Sequence, residues 1–348
     1  MPTAVAAVAP VAGSPVPSSA SPHAPSLFRF SIEARQAPAL FVAGWLSTLV
    51  GAGLAIIGFL GLPGAGPAVL LLVGLGLVSA GLILLGGSQA IERRVAGEPY
   101  AGPSPILLFV AIIAGTLFVA AIVGSVLSLA GFRLPQSEYA LGDLVSVALQ
   151  ALVFVGLVRL MVVGTGAISW REMGLTVDRS RILGWLAGGA LLAAPVIIVT
   201  GVVASILVAL IGSVPPSPLP PTGSSGGLAL HLLAGAVLAP LSEEVVFRGA
   251  MLTAWSRSVG ATSAIVRSSL LFALAHALTT SGSDFGQAAG IAIVATVARL
   301  PVAFALGWIY ARTGTLWASI GLHATFNAVL IVVSEIGVAA PAAFLLLR

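Results

Sequence analysis

The sequence predicts an all-α, polytopic integral membrane protein, a bundle of about eight or nine transmembrane helices. Only 7% of the 348 residues are charged, whereas soluble domains carry about 25%. Hydrophobic residues make up 58% of the chain. Apolar runs of roughly 18 or more residues, long enough to cross a bilayer as a helix, recur along it. A chain with so few charges cannot cover a water-exposed surface, so a soluble globular fold is excluded.

The elements follow from the N-terminus onward. Residues 1–36 are rich in Pro, Ala and Ser, so we expect a disordered cytoplasmic tail. Nine hydrophobic segments follow. We predict helices, because an open sheet would leave backbone groups unpaired in lipid and the alternation of a barrel is missing. The segments are 38–61, 67–86, 104–130, 141–165, 183–212, 227–250, 262–280, 286–311 and 315–340.

Charge and composition limit orientation and partners. Every basic residue is an arginine, and most lie at segment ends that fall on one side, such as Arg93 after the second segment and Arg257 after the sixth. The positive-inside rule then places the N-terminus in the cytoplasm and the protein in the cytoplasmic (plasma) membrane. The net charge of +4 forms no basic cluster, so we expect no nucleic-acid partner. The absence of cysteine excludes disulfides, Cys-ligated zinc and thiol nucleophiles.

Charged and imidazole groups inside membrane spans are costly and are candidates for function. Three late segments contain them: Glu243, Glu244 and Arg248 in the sixth, His276 in the seventh, and His323 with Asn327 in the ninth. Glu244 and Arg248 are four residues apart, so they share a helix face and are expected to pair. Glu243 points about 100° away around the axis and is left for chemistry. His323 and Asn327 are also four apart and present two polar groups on one face.

A carboxylate, two imidazoles and a carboxamide that meet inside a bundle would form a hydrolytic site. Glu243 suits a general base that takes a proton from water, and His276 can orient the same water. His323 and Asn327 can donate hydrogen bonds to the oxyanion that develops on a peptide carbonyl. The site is expected in a water-filled cavity among the last four segments, near the cytoplasmic end of the sixth.

At these residues the sequence resembles the CPBP family, also called the Abi or CAAX-protease family of intramembrane proteases, which includes the type II CAAX prenyl endopeptidase. The three family motifs read Glu243-Glu244-Val245-Val246-Phe247-Arg248, Phe272-Ala273-Leu274-Ala275-His276 and His323-Ala324-Thr325-Phe326-Asn327. They are intact and in the family's order. The stretch Trp170 to Gly174 is also similar to a short segment that often precedes the family core.

The resemblance implies an endopeptidase that acts on a protein or peptide substrate at the lipid bilayer. In that scheme Glu243 and His276 activate water, His323 and Asn327 hold the oxyanion, and Glu244 with Arg248 supports the site. The resemblance covers residues 140–340 as the protease core. Residues 37–135, the first three helices, lie outside it.

Two questions stay open at this point. The family is commonly labelled as metalloprotease, and Glu243, His276 and His323 are the three ligands that a catalytic zinc would use. The sequence lacks His-Glu-x-x-His, so we favour hydrolysis without a metal cofactor. The alternatives to a protease are a catalytically silent scaffold or binding partner and, less favoured, a proton-coupled transporter. The substrate, its prenylation and the oligomeric state are not encoded in any motif.

Overall fold

The computed structural model of the chain describes residues 35–61, 66–132, 135, 138–176, 178–278 and 280–346. The predicted tail falls almost entirely on residues 1–34, outside the described residues. Residues 36–348 form one compact unit, all-α in the described part. Its α-helices are α1 (Pro38–Phe59), α2 (Gly66–Val95), α3 (Pro105–Leu129), α4 (Tyr139–Val158), α5 (Arg179–Leu191), α6 (Ala193–Ile211), α7 (Ser225–Leu232), α8 (Ala239–Glu244), α9 (Thr253–Val259), α10 (Ala261–Ala277), α11 (Phe285–Val297), α12 (Leu300–Thr313) and α13 (Leu316–Leu346).

Membrane-length helices dominate this part of the chain. Eight helical spans are long and apolar enough to cross a membrane, by length and composition. Three of them combine successive helices, such as Ser225–Val259, which contains α7, α8 and α9. The seventh predicted segment corresponds to α10, a shorter apolar helix. The predicted polytopic membrane bundle of eight or nine helices is therefore confirmed.

Helix ends differ most from the prediction where a helix continues into polar sequence. The second segment was predicted to end at residue 86, but α2 extends to Val95 and includes Arg93 and Arg94. Hydropathy reports only the apolar part of a helix, whereas backbone hydrogen bonds continue the helix beyond it. Side chains cap other ends: Ser104 accepts from the Leu107 N–H at the start of α3, and Ser224 accepts from the Gly227 N–H at the start of α7.

The first two helices form a hairpin that packs through glycines. Gly44, Gly51 and Gly58 recur every seven residues on the buried face of α1. A Cβ at Gly51 would meet the backbone of α2 at Gly74, 2.7 Å away. Small residues at such a seam let two helix backbones approach closely without a hydrophobic driving force in lipid.

The start of α13 is fixed by the segment before α5. Gly174 has φ +75°, in the left-handed region that favours glycine. Its carbonyl accepts from the Thr315 hydroxyl at 3.1 Å and from the Leu316 N–H at 3.3 Å. The Trp317 indole N–H donates to the Leu175 carbonyl at 3.0 Å. These bonds set the position of the helix that carries His323 and Asn327.

Arginines meet at one end of the bundle. Arg94 donates to the Thr165 carbonyl, and Arg257 donates to the Ala167 carbonyl at 3.0 Å and pairs with Glu172 at 2.7 Å. The segment between α4 and α5 thus connects α2 with α9. We call this the Arg-rich end. The assignment of this end to the cytoplasm stays a prediction.

Candidate active site

The helical span that carries the acid pair is not a continuous α-helix. Two π-helical stretches, Leu233–Leu238 and Val245–Leu252, enclose the short α8 (Ala239–Glu244). π-helical turns inside α-helices occur frequently at functional sites. Glu243 therefore lies near the middle of the span Ser225–Val259. Arg248 is fully buried and is therefore not part of the arginine-bearing end of this helix. The position of the site near the cytoplasmic side stays a prediction.

Glu244 is the buried centre of the polar cluster. Its Oε1 accepts from Arg248 Nη1 at 2.9 Å and from His323 Nδ1 at 2.9 Å. The first contact is the predicted i, i+4 ion pair, and both of its side chains are fully buried. Breaking a buried ion pair leaves an uncompensated charge. The second contact, from His323, joins α13 to the helix of the acid pair.

Arg248 extends the same cluster to a third helix. Its Nη2 donates to the Ala303 carbonyl of α12 at 3.1 Å. The Ser269 hydroxyl of α10 donates to the same carbonyl at 3.0 Å. Glu244 and Arg248 thus connect the elements around the site through hydrogen bonds, which is consistent with the supporting role predicted for them.

Glu243 takes no part in the Glu244–Arg248 pair, as its different direction around the helix predicts. Its Oε2 lies 3.8 Å from Nε2 of His323. That oxygen is buried, and it has no hydrogen-bond partner among the described residues. An unsatisfied buried acceptor costs free energy, so it requires an explanation, and a bound water or a catalytic role is one. Glu244 Oε2 and Arg248 Nε share this property, but their side chains are fully buried, whereas 16% of the Glu243 side chain is exposed.

The ring of Phe272 brings the three motifs together. Its centroid lies 4.8 Å from the His276 ring and 5.5 Å from the His323 ring. The Arg248 guanidinium carbon lies 4.5 Å from the same centroid, at a cation–π distance. Sequence reasoning noted Phe272 only as part of a motif. The structure shows that it is the apolar contact between three helices.

His276 is oriented by its own helix. Its Nδ1 donates to the Phe272 carbonyl at 2.9 Å. In a neutral imidazole one ring nitrogen donates and the other accepts, so this bond makes Nε2 the acceptor. An imidazole in this state can accept a hydrogen bond from water.

His323 and Asn327 share a face of α13 but have different bonding partners. His323 Nδ1 donates to Glu244, whereas Asn327 Nδ2 donates to the Gly235 carbonyl at 2.8 Å. The predicted pair is therefore held from two directions, by a carboxylate and by a backbone carbonyl. Sequence reasoning did not identify Gly235, because this contact joins residues 92 positions apart.

Exposure divides the predicted site residues into two groups. Glu243, His276 and Asn327 are half-buried, whereas Glu244, Arg248 and His323 are buried. The three half-buried residues are all ones that were predicted to touch water or substrate. The two predicted supports, Glu244 and Arg248, are buried.

The residues do not fit the three-ligand zinc site that the sequence left open as an alternative. Within the described ranges, no group of three or more His, Cys, Asp or Glu side chains is arranged to hold a metal ion. Glu243, His276 and His323 therefore lack the convergence that a catalytic zinc requires.

Two cavities lie away from the predicted site, and the predicted water-filled cavity among the last four segments stays a prediction. One, of about 350 Å³, lies between α6 and α13, where its lining includes Ala193, Ile197 and Thr325. The other, of about 230 Å³, lies beside Trp185 and Trp308. Neither is lined by Glu243 or by a histidine.

Comparison with known proteins supports the family resemblance. Residues 225–329 match the family model described as "Rce1-like: Type II CAAX prenyl endopeptidase Rce1-like". The match covers less than a third of the chain but contains all six predicted site residues. The resemblance is thus confirmed for this segment, which lies inside the predicted core 140–340. No curated protein and no solved structure matches the chain.

Proposed function

We propose that this protein is a CAAX-type intramembrane endopeptidase that hydrolyses a peptide bond of a membrane-associated substrate. The observation that carries the proposal is the position of Glu243. Its buried Oε2 has no donor among the described side chains and lies 3.8 Å from His323 Nε2. A water molecule that donates to this oxygen would have a base beside it and a second polar group within reach.

The proposed reaction uses Glu243 as the general base. Glu243 Oε2 takes a proton from water while the water oxygen forms a bond to the carbonyl carbon of the scissile peptide. The carbonyl electron pair moves onto oxygen, which becomes an oxyanion. When the intermediate collapses, the C–N bond breaks and the protonated Glu243 returns its proton to the leaving amine. The imidazole of His276, whose ring is oriented by its bond to the Phe272 carbonyl, is proposed to orient the same water.

His323 and Asn327 are proposed to stabilise the oxyanion. His323 Nδ1 already donates to Glu244, so a second donation from Nε2 requires a doubly protonated ring. Two carboxylates, Glu243 and Glu244, lie against that ring. In the proposed state, with Glu243 and Glu244 ionised and His323 doubly protonated, these side chains and Arg248 carry two negative and two positive charges that compensate one another. The amide of Asn327 has two N–H bonds, and only one is needed for Gly235.

We propose that no step passes through a metal ion, because the donor groups do not converge. The test is metal analysis of the purified protein by mass spectrometry, together with activity after dialysis against a zinc chelator. Unchanged cleavage at a metal content far below one ion per chain is expected. Loss of cleavage that added zinc restores would contradict this part of the proposal.

The proposed activity is tested in proteoliposomes with a fluorescence-quenched peptide that ends in a prenylated CAAX sequence. Glu243→Gln and His276→Ala are expected to lower the cleavage rate by about 10²-fold or more. Glu335→Gln is the matched control, because it makes the same substitution in a buried membrane-helix glutamate outside the site. Mass spectrometry of the products identifies the broken bond.

Retained cleavage by the purified Glu243→Gln protein would overturn the proposed function. If wild type leaves the prenylated peptide intact, the prenylated substrate class is wrong. Native membranes from wild-type and Glu243→Gln cells then report, by mass spectrometry of peptide ends, whether any other membrane protein is cut. Equal peptide ends in both would favour the scaffold hypothesis, and a solute flux that depends on Glu243 would favour the transporter.

A further inference from the structure

The Gly235 carbonyl, which accepts the hydrogen bond from Asn327, differs from its neighbours in its main-chain hydrogen bonding. Gly235 lies in the π-helical stretch Leu233–Leu238, where backbone N–H groups donate five residues back. The N–H of Ala239 follows this register and donates to the Ala234 carbonyl. The next donor in the same register would be residue 240, which would bond to Gly235.

Residue 240 is a proline, and proline has no N–H. The Gly235 carbonyl therefore receives no main-chain hydrogen bond in the π-helical register. Asn327 Nδ2 donates to it instead, at 2.8 Å. A buried carbonyl is rarely left without a donor, so the amide replaces the bond that the proline removes.

The packing at Gly235 also permits this contact. A Cβ at this position would meet Leu219 Cδ1 at 2.7 Å and Ile331 Cδ1 at 2.8 Å. Ile331 lies one turn beyond Asn327 on α13. Because glycine has no side chain, α13 comes close enough for a short amide to reach the backbone.

We propose that Pro240 is a positioning residue for Asn327, because it removes the N–H that would otherwise compete for the Gly235 carbonyl. This inference rests on the proposed function, in which Asn327 binds the oxyanion. Pro240 is also three residues before Glu243, in the same short helix. One residue thereby links the geometry of the base to that of the oxyanion donor.

A double-mutant cycle tests the proposal. Pro240→Ala restores an N–H at residue 240, and Asn327→Ala removes the amide. Pro301→Ala is the matched control, because Pro301 also lies in the first turn of a helix near the site but has no described bond to Asn327. Each single and double variant is measured in two ways, by cleavage of the quenched peptide and by thermal unfolding in detergent.

We expect Pro240→Ala to lower kcat by about 10- to 100-fold with KM within about twofold, since a misplaced group acts on the transition state. In the Asn327→Ala background, Pro240→Ala is expected to cause no further loss of kcat. Likewise, Asn327→Ala is expected to lower the unfolding temperature of wild type but not that of the Pro240→Ala protein. Pro301→Ala is expected to be additive with Asn327→Ala in both measurements.

Multiplicative effects of Pro240→Ala and Asn327→Ala would overturn the inference. Pro240→Gly restores the same N–H with no side chain. Its effects on kcat and on the unfolding temperature must show the same non-additivity with Asn327→Ala. Failure of both proline variants to accumulate, while Pro301→Ala accumulates normally, would show a purely structural role and would also overturn it. The unfolding measurement does not depend on cleavage, so a failure of the proposed function is recognised separately, by retained activity of Glu243→Gln.

Discussion

The bundle contains two clusters that pair a histidine with a carboxylate, and they differ in how completely their polar atoms are bonded. The Glu243 cluster consists of Glu243, Glu244, Arg248 and His323. The Glu335 cluster consists of Asp143, Thr222, Gly223, His231 and Glu335. The first connects the span Ser225–Val259 with α13. In the second, Glu335 of α13 bonds to Thr222 and Gly223, just before that span, and His231 of the span pairs with Asp143 of α4. His231 lies twelve residues before Glu243 in one span, and Glu335 lies twelve residues after His323 in α13. Twelve residues correspond to about 18 Å along an α-helix.

In the Glu335 cluster both carboxylate oxygens of Glu335 are hydrogen-bonded, whereas the buried Nδ1 of His231 has no hydrogen-bond partner among the described residues. Glu335 Oε1 accepts from the Thr222 N–H at 2.7 Å and from its hydroxyl at 3.0 Å, and Oε2 accepts from the Gly223 N–H at 2.9 Å. His231 is 1% exposed and its Nε2 lies 3.1 Å from Asp143 Oδ2.

The Glu243 cluster contains more buried atoms without a hydrogen-bond partner among the described residues. Three of its buried atoms, Glu243 Oε2, Glu244 Oε2 and Arg248 Nε, have no hydrogen-bond partner in the described part of the chain. Unsatisfied buried groups reduce stability, and natural proteins accept this cost at functional sites. The comparison teaches that a buried His–carboxylate pair is not by itself evidence of catalysis. The two clusters differ in their glutamates: both oxygens of Glu335 accept hydrogen bonds, whereas one oxygen of Glu243 and one of Glu244 accept none from the described residues.

The largest effect on stability is expected from Arg248→Met. This variant removes the cation from the buried pair and leaves Glu244 with only His323 as a partner. The expected loss is about 3–5 kcal/mol of unfolding free energy, measured by thermal or denaturant unfolding in detergent micelles. The double variant Glu244→Gln/Arg248→Met should recover part of the loss, since it leaves no unpaired charge. A single variant as stable as wild type would show that the pair does not hold the site together.

Glu335→Gln is expected to lower stability by about 1–3 kcal/mol, because an amide cannot reproduce three accepted hydrogen bonds. Its kcat should stay within about twofold of wild type, since Glu335 is outside the site. Unfolding and peptide cleavage measured on the same preparation separate the two effects. A large loss of kcat with unchanged stability would erase the distinction between the two clusters.

Glu243→Gln is expected to have the opposite signature. It removes a carboxylate whose Oε2 has no partner among the described residues, so stability should be unchanged or rise by about 1 kcal/mol, as is common when a functional group is lost. Cleavage should be lost at the same time. Strong destabilisation by this substitution would indicate a structural role for Glu243.

The smallest effect concerns Glu172 at the Arg-rich end. Hydrogen bonds from the Ser169 backbone N–H and hydroxyl, with a smaller contribution from Arg257, lower the pKa of Glu172 to about 2. A carboxyl whose pKa is lowered by folding stabilises the protein above its unfolded pKa, near 4.5, and loses this contribution as the pH falls towards 2. About half of the side chain is exposed, so the contribution should be below about 1 kcal/mol.

The measurement for Glu172 is the difference in unfolding temperature between wild type and Glu172→Gln. This difference should be present at pH 7 and should disappear between pH 4.5 and pH 2. A difference that persists at pH 2 would mean that packing, and not the charge of Glu172, stabilises the segment between α4 and α5.

Some of the site was predictable because it is local. Glu244 and Arg248 are one helical turn apart, so the backbone alone brings them together, and their ion pair is present. The different direction of Glu243 follows from the same geometry. The roles of Glu243, His276, His323 and Asn327 in the reaction stay predictions until the variants are measured.

Other contacts were not predictable from spacing. His323 meets Glu244 across 79 residues, and Thr222 meets Glu335 across 113. Such pairs depend on which faces of two helices pack together. In a membrane bundle most faces are equally apolar, so hydropathy does not distinguish the packed face from the lipid-facing one.

The sequence alone determined the membrane-spanning helices and their approximate limits, since both depend on apolar length and on backbone hydrogen bonding within each segment. It also determined the chemical groups available for hydrolysis. Only the tertiary structure decided that Phe272 joins three helices and that Asn327 bonds to Gly235. It also showed that, among the described residues, no three His, Asp or Glu side chains are arranged to hold a metal ion. These features arise from contacts between helices distant in sequence, and a one-dimensional pattern contains no measure of such distances.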